Sequence, residues 1–268
     1  PLLILNEYMD LTATGLFEAS KTAGRSDLTL RVEEQRPLHY TLDYNNFGSK
    51  LVSRHRFGTG LEVGNWFKPG SVFSVRGVVG SPVSNAAYGR VSYGAPVNFN
   101  GTRVNFTLSA GDFDVGRQLA ALKITMETMG WSLSATHPFI KTRSFTLSGE
   151  TGLDFQDFEQ NIGGLPGSLK ETRSDRIRKI RGQLDYNRQR GQGRDLATVS
   201  IHQGLKNTLG GMRNNDVKSS RSGADNGFTK VVLEAARFQG VTEMLSVVIR
   251  GTGQSSTDDL VAGEQLSL

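Results

Sequence analysis

Residues 126–155 read METMGWSLSATHPFIKTRSFTLSGETGLDF and contain two alternating runs on either side of a proline. In the first run Trp131 and Leu133 alternate with serines, and in the second Phe145 and Leu147 alternate with hydroxylated residues. A period of two belongs to a β-strand whose faces meet different environments. Because one face is large and apolar and the other small and polar, the stretch is typical of a membrane β-barrel hairpin with lipid outside and water inside. A hairpin of a soluble sandwich alternates in the same way and stays open at this point.

The same alternation recurs from residue 38 onward and predicts eleven antiparallel strands. Besides the two in the quoted hairpin, strands are expected at 38–45, 52–63, 72–80, 88–97, 104–113, 178–186, 196–205, 228–237 and 245–254. Short connections alternate with longer ones, which is how outer-membrane barrels distribute periplasmic turns and outer loops. An open edge in lipid would leave backbone groups unpaired, so this odd number of strands predicts a barrel that is incomplete within the sequence.

The connections around the quoted hairpin are also predicted. Proline cannot donate to a strand ladder, so Pro138 is expected to end the first strand and 140–143 to form a short connection. Residues 160–174 carry glycine, proline and charge and are expected to form a long loop. Residues 116–126 have a helical composition but should form a loop within a barrel, and the polar residues 206–226 should form a long exposed loop.

The composition excludes several classes of protein. The chain has 268 residues, 37% of them hydrophobic, and no apolar run approaches the roughly 20 residues of a membrane-spanning helix. Glycine is common at 32 and proline rare at 7, which favours strands and turns. The sequence has no cysteine, so disulfides, thiolate metal sites and cysteine nucleophiles are excluded.

The charge pattern and the histidines predict neither nucleic-acid binding nor catalysis. The net charge is +5, but the densest basic run, at 173–181, is interrupted by isoleucines and no basic stripe is interleaved with aromatic residues. The four histidines fall on different strands without metal-ligand spacing, and no nucleophile–base pair emerges. The sequence therefore predicts no enzyme, no metal site and no small-molecule cofactor.

The residues before the barrel predict a separate segment. Residues 2–10 could finish a short helix, and residues 27–34 alternate like an exposed strand. Arg36 and Pro37 mark a boundary, because proline restricts both itself and its predecessor. The expected division is 1–36 and 37–268.

Three short stretches carry a family resemblance: LDYNNFGS at 42–49, HPFIKTR at 137–143, and the C-terminal residues Gly253, Gln254, Leu260 and 263–268. They resemble two-partner secretion transporters, the haemolysin secretion/activation family of outer-membrane proteins. The resemblance covers the whole chain, although His137 stands where the family usually has tyrosine. It implies a sixteen-stranded barrel preceded by two POTRA domains, of which 1–36 would be the C-terminal part of the second.

The resemblance also implies a position for the C-terminal residues, at the start of the sixth outer loop. These residues are Leu260, Gly263, Glu264, Gln265 and Leu266. The family's arginine motif at the tip of that loop, with its acidic partner on the barrel wall, would lie beyond Leu268, so neither is assigned to a residue of this sequence.

The charged positions of the predicted strands form the candidate pore lining. An arginine on the lipid face near the bilayer midplane would cost ~2–4 kcal/mol, so these charged residues are assigned to the water-facing side of the strands. A mixed-charge wall would keep an extended polypeptide mobile, or the charges would simply solvate and brace a lumen. The candidates are Arg54, Arg56, Glu62, Arg76, Arg90, Glu150, Asp154, Lys179, Arg181, Asp185, Lys230, Glu234 and Arg250.

The expected function is an outer-membrane translocation pore of a Gram-negative bacterium, with the N-terminal part in the periplasm. Its expected partners are a large secreted β-helical exoprotein with an N-terminal secretion domain, and outer-membrane lipid. A barrel-assembly factor of the same superfamily and a passive porin are the alternatives. Porins lack POTRA domains, so strand 27–34 running on into strand 38–45 weighs against a porin. A barrel hydrolase would need a serine–histidine site at one rim, and none is visible.

Overall fold

The computed structural model describes residues 2–22, 24–164, 171–213 and 216–266, which form one large antiparallel sheet and a small N-terminal hairpin. No helix within these ranges is long and apolar enough to cross a membrane. The N-terminal elements are α1 (Leu2–Leu5), β1 (Leu11–Ala19) and β2 (Ser26–Glu34). The sheet contains β3 (Leu38–Asn45), β4 (His55–Gly64), β5 (Val72–Ser81), β6 (Ala86–Pro96), β7 (Arg103–Val115), β8 (Ile124–Lys141), β9 (Phe145–Ile162), β10 (Glu171–Arg190), β11 (Gly193–Gly204), β12 (Thr229–Gly240) and β13 (Ser246–Ser256). Short 3-10 helices occupy Val83–Asn85, Arg117–Leu122 and Ala262–Glu264.

The sheet is an up-and-down meander. Its 11 strands lie in the order β13 to β3, so every strand pairs with its neighbours in sequence, and every pairing is antiparallel. Each of the eleven predicted strands is present. The predicted all-β class is confirmed.

The predicted ends of β8, β9 and β10 are wrong. Pro138 does not end β8, which continues to Lys141 through a β-bulge between Pro138 and Ile140. The long loop expected at 160–174 is wrong at both ends, because β9 extends to Ile162 and β10 begins at Glu171, while residues 165–170 lie outside the described part of the chain. Polar residues at these ends resemble a loop in sequence, yet their backbone groups pair in the ladder. Likewise β8 begins at Ile124, inside the segment expected to be a loop.

The two faces of the sheet differ in chemistry, as the alternation predicts. Directly paired residues of neighbouring strands lie on the same face. The apolar face is the one bearing the row Tyr40, Leu61, Val75, Val91, Leu108, Trp131 and Phe155. The polar face is the one bearing the row His39, Glu62, Ser74, Ser92, Thr107, Ser132, Asp154 and Lys179.

Several large side chains of the apolar face are exposed. Tyr40 and Leu42 are 74% and 84% exposed, and the rings of Trp131 and Phe155 stack with centroids 3.8 Å apart. An exposed patch of this extent is unusual for a soluble monomer and marks contact with a membrane or a partner.

The helix α1 and the turn after it lie at the sheet end that carries the short connections. The side chain of Tyr8 abuts Gly70, that of Ile4 approaches Gly101, and Glu7 forms an ion pair with Lys141 at the end of β8. Strand β2 agrees with the strand predicted at 27–34, whereas β1 was not predicted. The division at 36 and the POTRA assignment of the first segment remain predictions.

Candidate functional site

All the candidate pore-lining residues except Arg54 lie on the polar face, by the cross-strand register. Arg54 precedes β4, which begins at His55, and is exposed in the connection from β3. Its carbonyl oxygen accepts a hydrogen bond from the Gly48 amide at 3.2 Å, which closes that connection. The prediction that Arg54 belongs to a strand is therefore wrong.

Arg181 of β10 is the centre of an ion-pair network. Its guanidinium contacts Glu150 at 2.8 Å and Asp154 at 3.3 Å, both on β9, and donates to Gln183 at 3.2 Å. Thr136 on β8 donates to Glu150 at 3.1 Å. The three ionic side chains are each only about a fifth exposed. At that burial a guanidinium with two carboxylate partners braces neighbouring strands more strongly than an exposed pair would.

Asp185 extends this network to β11. It accepts both hydrogen bonds that Gln183 donates, at 2.9 and 3.0 Å, and one from Thr198 at 2.8 Å. Among the described residues Glu234 of β12 has no hydrogen bond or ion pair, although it borders the same cavities as Lys179. The polar face therefore carries both paired and unpaired carboxylates.

The second cluster joins the chain after β13 to the wall. Glu264 is 3% exposed and pairs with two lysines through different oxygens: Oε1 with Lys179 of β10, and Oε2 with Lys230 of β12 at 2.5 Å. The ammonium of Lys230 also donates to the Glu264 carbonyl at 3.2 Å. Between the two lysines lies β11, with His202 directly opposite Lys230.

Electrostatics keep the Glu264 carboxyl ionised. Burial alone would raise its pKa, but the positive charges of Lys179 and Lys230 and the hydrogen bonds that they donate hold the pKa below its usual value. Glu264 lies in the 3-10 helix after β13, outside the strands. Of the predicted residues at the start of the sixth loop, Leu260 is buried as well, and Gly263, Gln265 and Leu266 line the same small cavity as Glu264.

A small apolar core underlies this segment. Ile177, Met212, Ala224 and Val261 form one buried cluster that joins β10, the connection 205–228 and the chain after β13. Arg221 adds an ion pair to Asp259 at 3.1 Å and a hydrogen bond to the Leu260 carbonyl at 3.3 Å. The prediction that 206–226 is simply an exposed loop is therefore wrong in part, because Met212 and Ala224 are buried, whereas Leu209 and Val217 are exposed as expected.

The polar face of β3–β7 is less connected. Among the residues that the structure describes, its one ion pair within the sheet joins Arg76 to Asp43 at 2.6 Å, and Ser74 and Ser92 share a hydrogen bond of 2.7 Å. The exposed Arg90 makes no side-chain hydrogen bond or ion pair in the described part of the chain. Far along the sheet, Arg250 on β13 lies 5.7 Å from the Phe238 ring centroid.

Sequence reasoning missed several polar-face residues that take part in these contacts. Asp43 alternates with the tyrosines of β3 in the right phase and could have been found by that signal. Thr198 and His202 are uncharged positions of an alternating strand, and only the fold shows what they face. Within the described ranges no group of acidic or histidine side chains could hold a metal ion.

Comparison with known proteins assigns the family. The family model described as haemolysin secretion/activation protein ShlB/FhaC/HecB matches residues 24–268. The chain belongs to this family. The match confirms the predicted resemblance, and the ShlB/FhaC/HecB model includes β2 and the whole sheet.

Relatives and solved structures agree with the ShlB/FhaC/HecB assignment. The heme/hemopexin transporter protein HuxB of Haemophilus influenzae is 22% identical over 155 residues, which make up 58% of this chain and 27% of HuxB. CdiB from Escherichia coli has a TM-score of 0.81 at 17% identity, with 98% of this chain and 48% of that chain covered. BamA from Haemophilus ducreyi lacking POTRA domains 1–3 has a TM-score of 0.63 at 13% identity, with 95% of this chain and 48% of that chain covered.

These likenesses show that the sheet has the fold of part of a β-barrel. The chain spans about a quarter of HuxB and about half of each solved chain. The predicted partial barrel is confirmed for this ShlB/FhaC/HecB family member.

Proposed function

We propose that this protein acts in an outer-membrane translocation pore of a Gram-negative bacterium. The pore secretes a large β-helical exoprotein, such as a haemolysin or adhesin, and contributes to its activation. One observation carries the proposal: a single sheet of barrel fold separates an apolar face from a polar face that carries charges of both signs. The apolar face would contact lipid, and the N-terminal hairpin would lie in the periplasm.

The polar face suits a passage for an extended polypeptide. Charges of both signs and many hydroxyl groups offer weak, replaceable partners along the wall, so a moving chain is solvated without being trapped. Fixed pairs such as Arg181 with Glu150 brace the wall, while free groups such as Glu234 and Arg90 remain available. Transport of this kind needs no covalent step from the wall residues.

The second candidate is an outer-membrane barrel-assembly factor. The fold likeness to BamA favours it, since the TM-score is 0.63. The family match favours secretion, because the matching family is described as haemolysin secretion/activation. A passive porin has no comparable support.

Secretion of a cognate exoprotein tests the proposal. The gene that carries this sequence would be expressed in a Gram-negative host together with the neighbouring gene for a large secretion-domain protein. We expect the exoprotein in the medium only when both genes are present, and in the periplasm when the transporter is omitted.

Two results would contradict secretion. Equal export with and without the transporter would show that it is not the pore. A general loss of other outer-membrane barrels when the native gene is depleted, with exoprotein release unaffected, would favour the assembly factor.

A further inference from the structure

The ammonium groups of Lys179 and Lys230 are close enough to bind the same carboxylate. They lie on β10 and β12, with β11 between them, and reach opposite oxygens of the same Glu264 side chain. Within the described residues neither lysine has another ion-pair partner. Two ammonium groups that converge on one point make charge-assisted hydrogen bonds, which are among the strongest polar contacts in proteins.

The lysines need a counter-charge. The Lys179 side chain is 14% exposed and that of Lys230 is 8% exposed. Removing one partner of a buried ion pair leaves the remaining charge without compensation, which is strongly unfavourable. The carboxylates of Glu150 and Asp154 do not supply it, because both are paired with Arg181.

Space is available on both sides of the pair. A cavity of about 430 Å³ borders both lysines, Glu234 and the segment that carries Glu264. A second cavity of about 470 Å³ borders Lys179, His202 and Glu234. A side chain moving along the polar face could therefore reach the lysines without crossing the sheet.

We infer that Lys179 and Lys230 form a carboxylate-binding site in the wall. Glu264 fills it in this structure, and side-chain carboxylates of the translocating polypeptide compete for it. The inference rests on the proposed function for the identity of the competitor. The site binds acidic side chains of the exported polypeptide. It also anchors the segment 257–266 to the polar face.

The test is current block by a short oligoglutamate peptide. The gene product that carries this sequence would be reconstituted in planar bilayers, as wild type and as E264Q. The glutamine keeps the side-chain size but loses the charge, so both lysines lack their carboxylate. We expect oligoglutamate to block E264Q at a concentration lower by on the order of tenfold, the effect of one charge-assisted hydrogen bond.

E234Q is the matched control. It removes one negative charge from the same cavities without breaking a contact, because Glu234 has no partner in the described residues. Its sensitivity to oligoglutamate should rise far less than that of E264Q, because both lysines keep their carboxylate partner. In E264Q combined with K179Q and K230Q, the added sensitivity should disappear.

Two outcomes would overturn the inference. If E264Q and E234Q became equally more sensitive to oligoglutamate, the net charge of the cavities would explain the block. If the triple variant remained as sensitive as E264Q, the two lysines would be excluded as the binding site. Folding is checked by heat-modifiable migration on gels. Should E264Q fail to fold, E264D answers the same question, because its shorter side chain cannot reach both lysines and should give a smaller gain. A block pattern as expected with no exoprotein secretion would refute the proposed function alone.

Discussion

The polar faces of β3–β7 and β8–β12 follow the same alternating pattern but are organised differently. On β3–β7 the charges are spread out, with Arg76 paired to Asp43 and Arg90 left in solvent. On β8–β12, Arg181 is held by two carboxylates and Glu264 joins two lysines. The difference teaches that a period of two fixes the face on which a side chain lies, whereas ion pairing depends on which charges the strand register and the covering segment bring together.

The apolar face provides the largest test, because there the two regions should behave alike. Leu61→Arg on β4 and Leu153→Arg on β9 should each destabilise the protein in lipid by ~2–4 kcal/mol, the cost of arginine near the bilayer midplane. Urea unfolding in lipid vesicles, followed by tryptophan fluorescence, measures the loss.

Thr107→Arg is the control, since it places the same side chain on the polar face. It should change stability by only about 0.5 kcal/mol. A loss at Thr107 equal to that at Leu61 would show that the faces have been assigned the wrong way round.

The next prediction concerns ion pairs and distinguishes the polar face of β3–β7 from that of β8–β12. Arg181→Leu leaves Glu150 and Asp154 without their cation at low exposure, so it should cost about 1–3 kcal/mol. Arg76→Leu breaks an ion pair whose side chains are about half and one-third exposed, and such pairs contribute roughly 0–1 kcal/mol. The same unfolding assay compares them, and equal losses would remove the distinction between the regions.

The pH dependence sharpens the role of Glu264. Its pKa is lower in the folded protein than in the unfolded chain, so its stabilising effect is complete above the unfolded value of about 4.3 and is lost as the pH falls through the lowered folded value. We expect limited proteolysis of the segment 257–266 to accelerate below about pH 4.3 in the wild type. E264Q should be cleaved rapidly at all pH values, and acid-independent protection in E264Q would contradict the ion-pair account.

The smallest effect is one of labelling rate. Single cysteines are convenient because the sequence has none. Arg90→Cys should react with a water-soluble thiol reagent several-fold faster than Lys230→Cys, because Lys230 is only 6% exposed beneath Glu264. Leu108→Cys on the apolar face should remain unlabelled in membranes. Equal rates at the first two positions would show that the segment 257–266 does not cover the wall.

The sequence predicted every strand of the sheet because lipid and water impose opposite demands on successive residues. It misplaced the ends of β8, and also the end of β9 and the start of β10, where most residues are polar and the alternation disappears. Strand β1 was missed because Leu16 and Phe17 are adjacent apolar residues that break the period of two. Pro138 was misread because a β-bulge accommodates it within β8.

The site was only partly predictable. Glu264, Lys179 and Lys230 were each identified as candidates, but separations of 85 and 34 residues give no spacing signal that they meet. Their convergence depends on the fold of the segment after β13 and on the buried contacts of Val261 and Met212. Local patterns contain no information about such distant packing.

The unequal strand lengths give the molecule an uneven height. A strand needs about 9–11 residues to cross a bilayer, and β3 has 8, whereas β8 and β9 have 18 and β10 has 20. Because the turn between β8 and β9 lies beside the N-terminal helix, the surplus extends at the opposite end, where Glu127 and Glu159 lie directly opposite each other on β8 and β9. On the proposed route, a polypeptide leaving the mouth would meet a raised rim on one side and a low rim beside β3 to β5, so its exit would be directional.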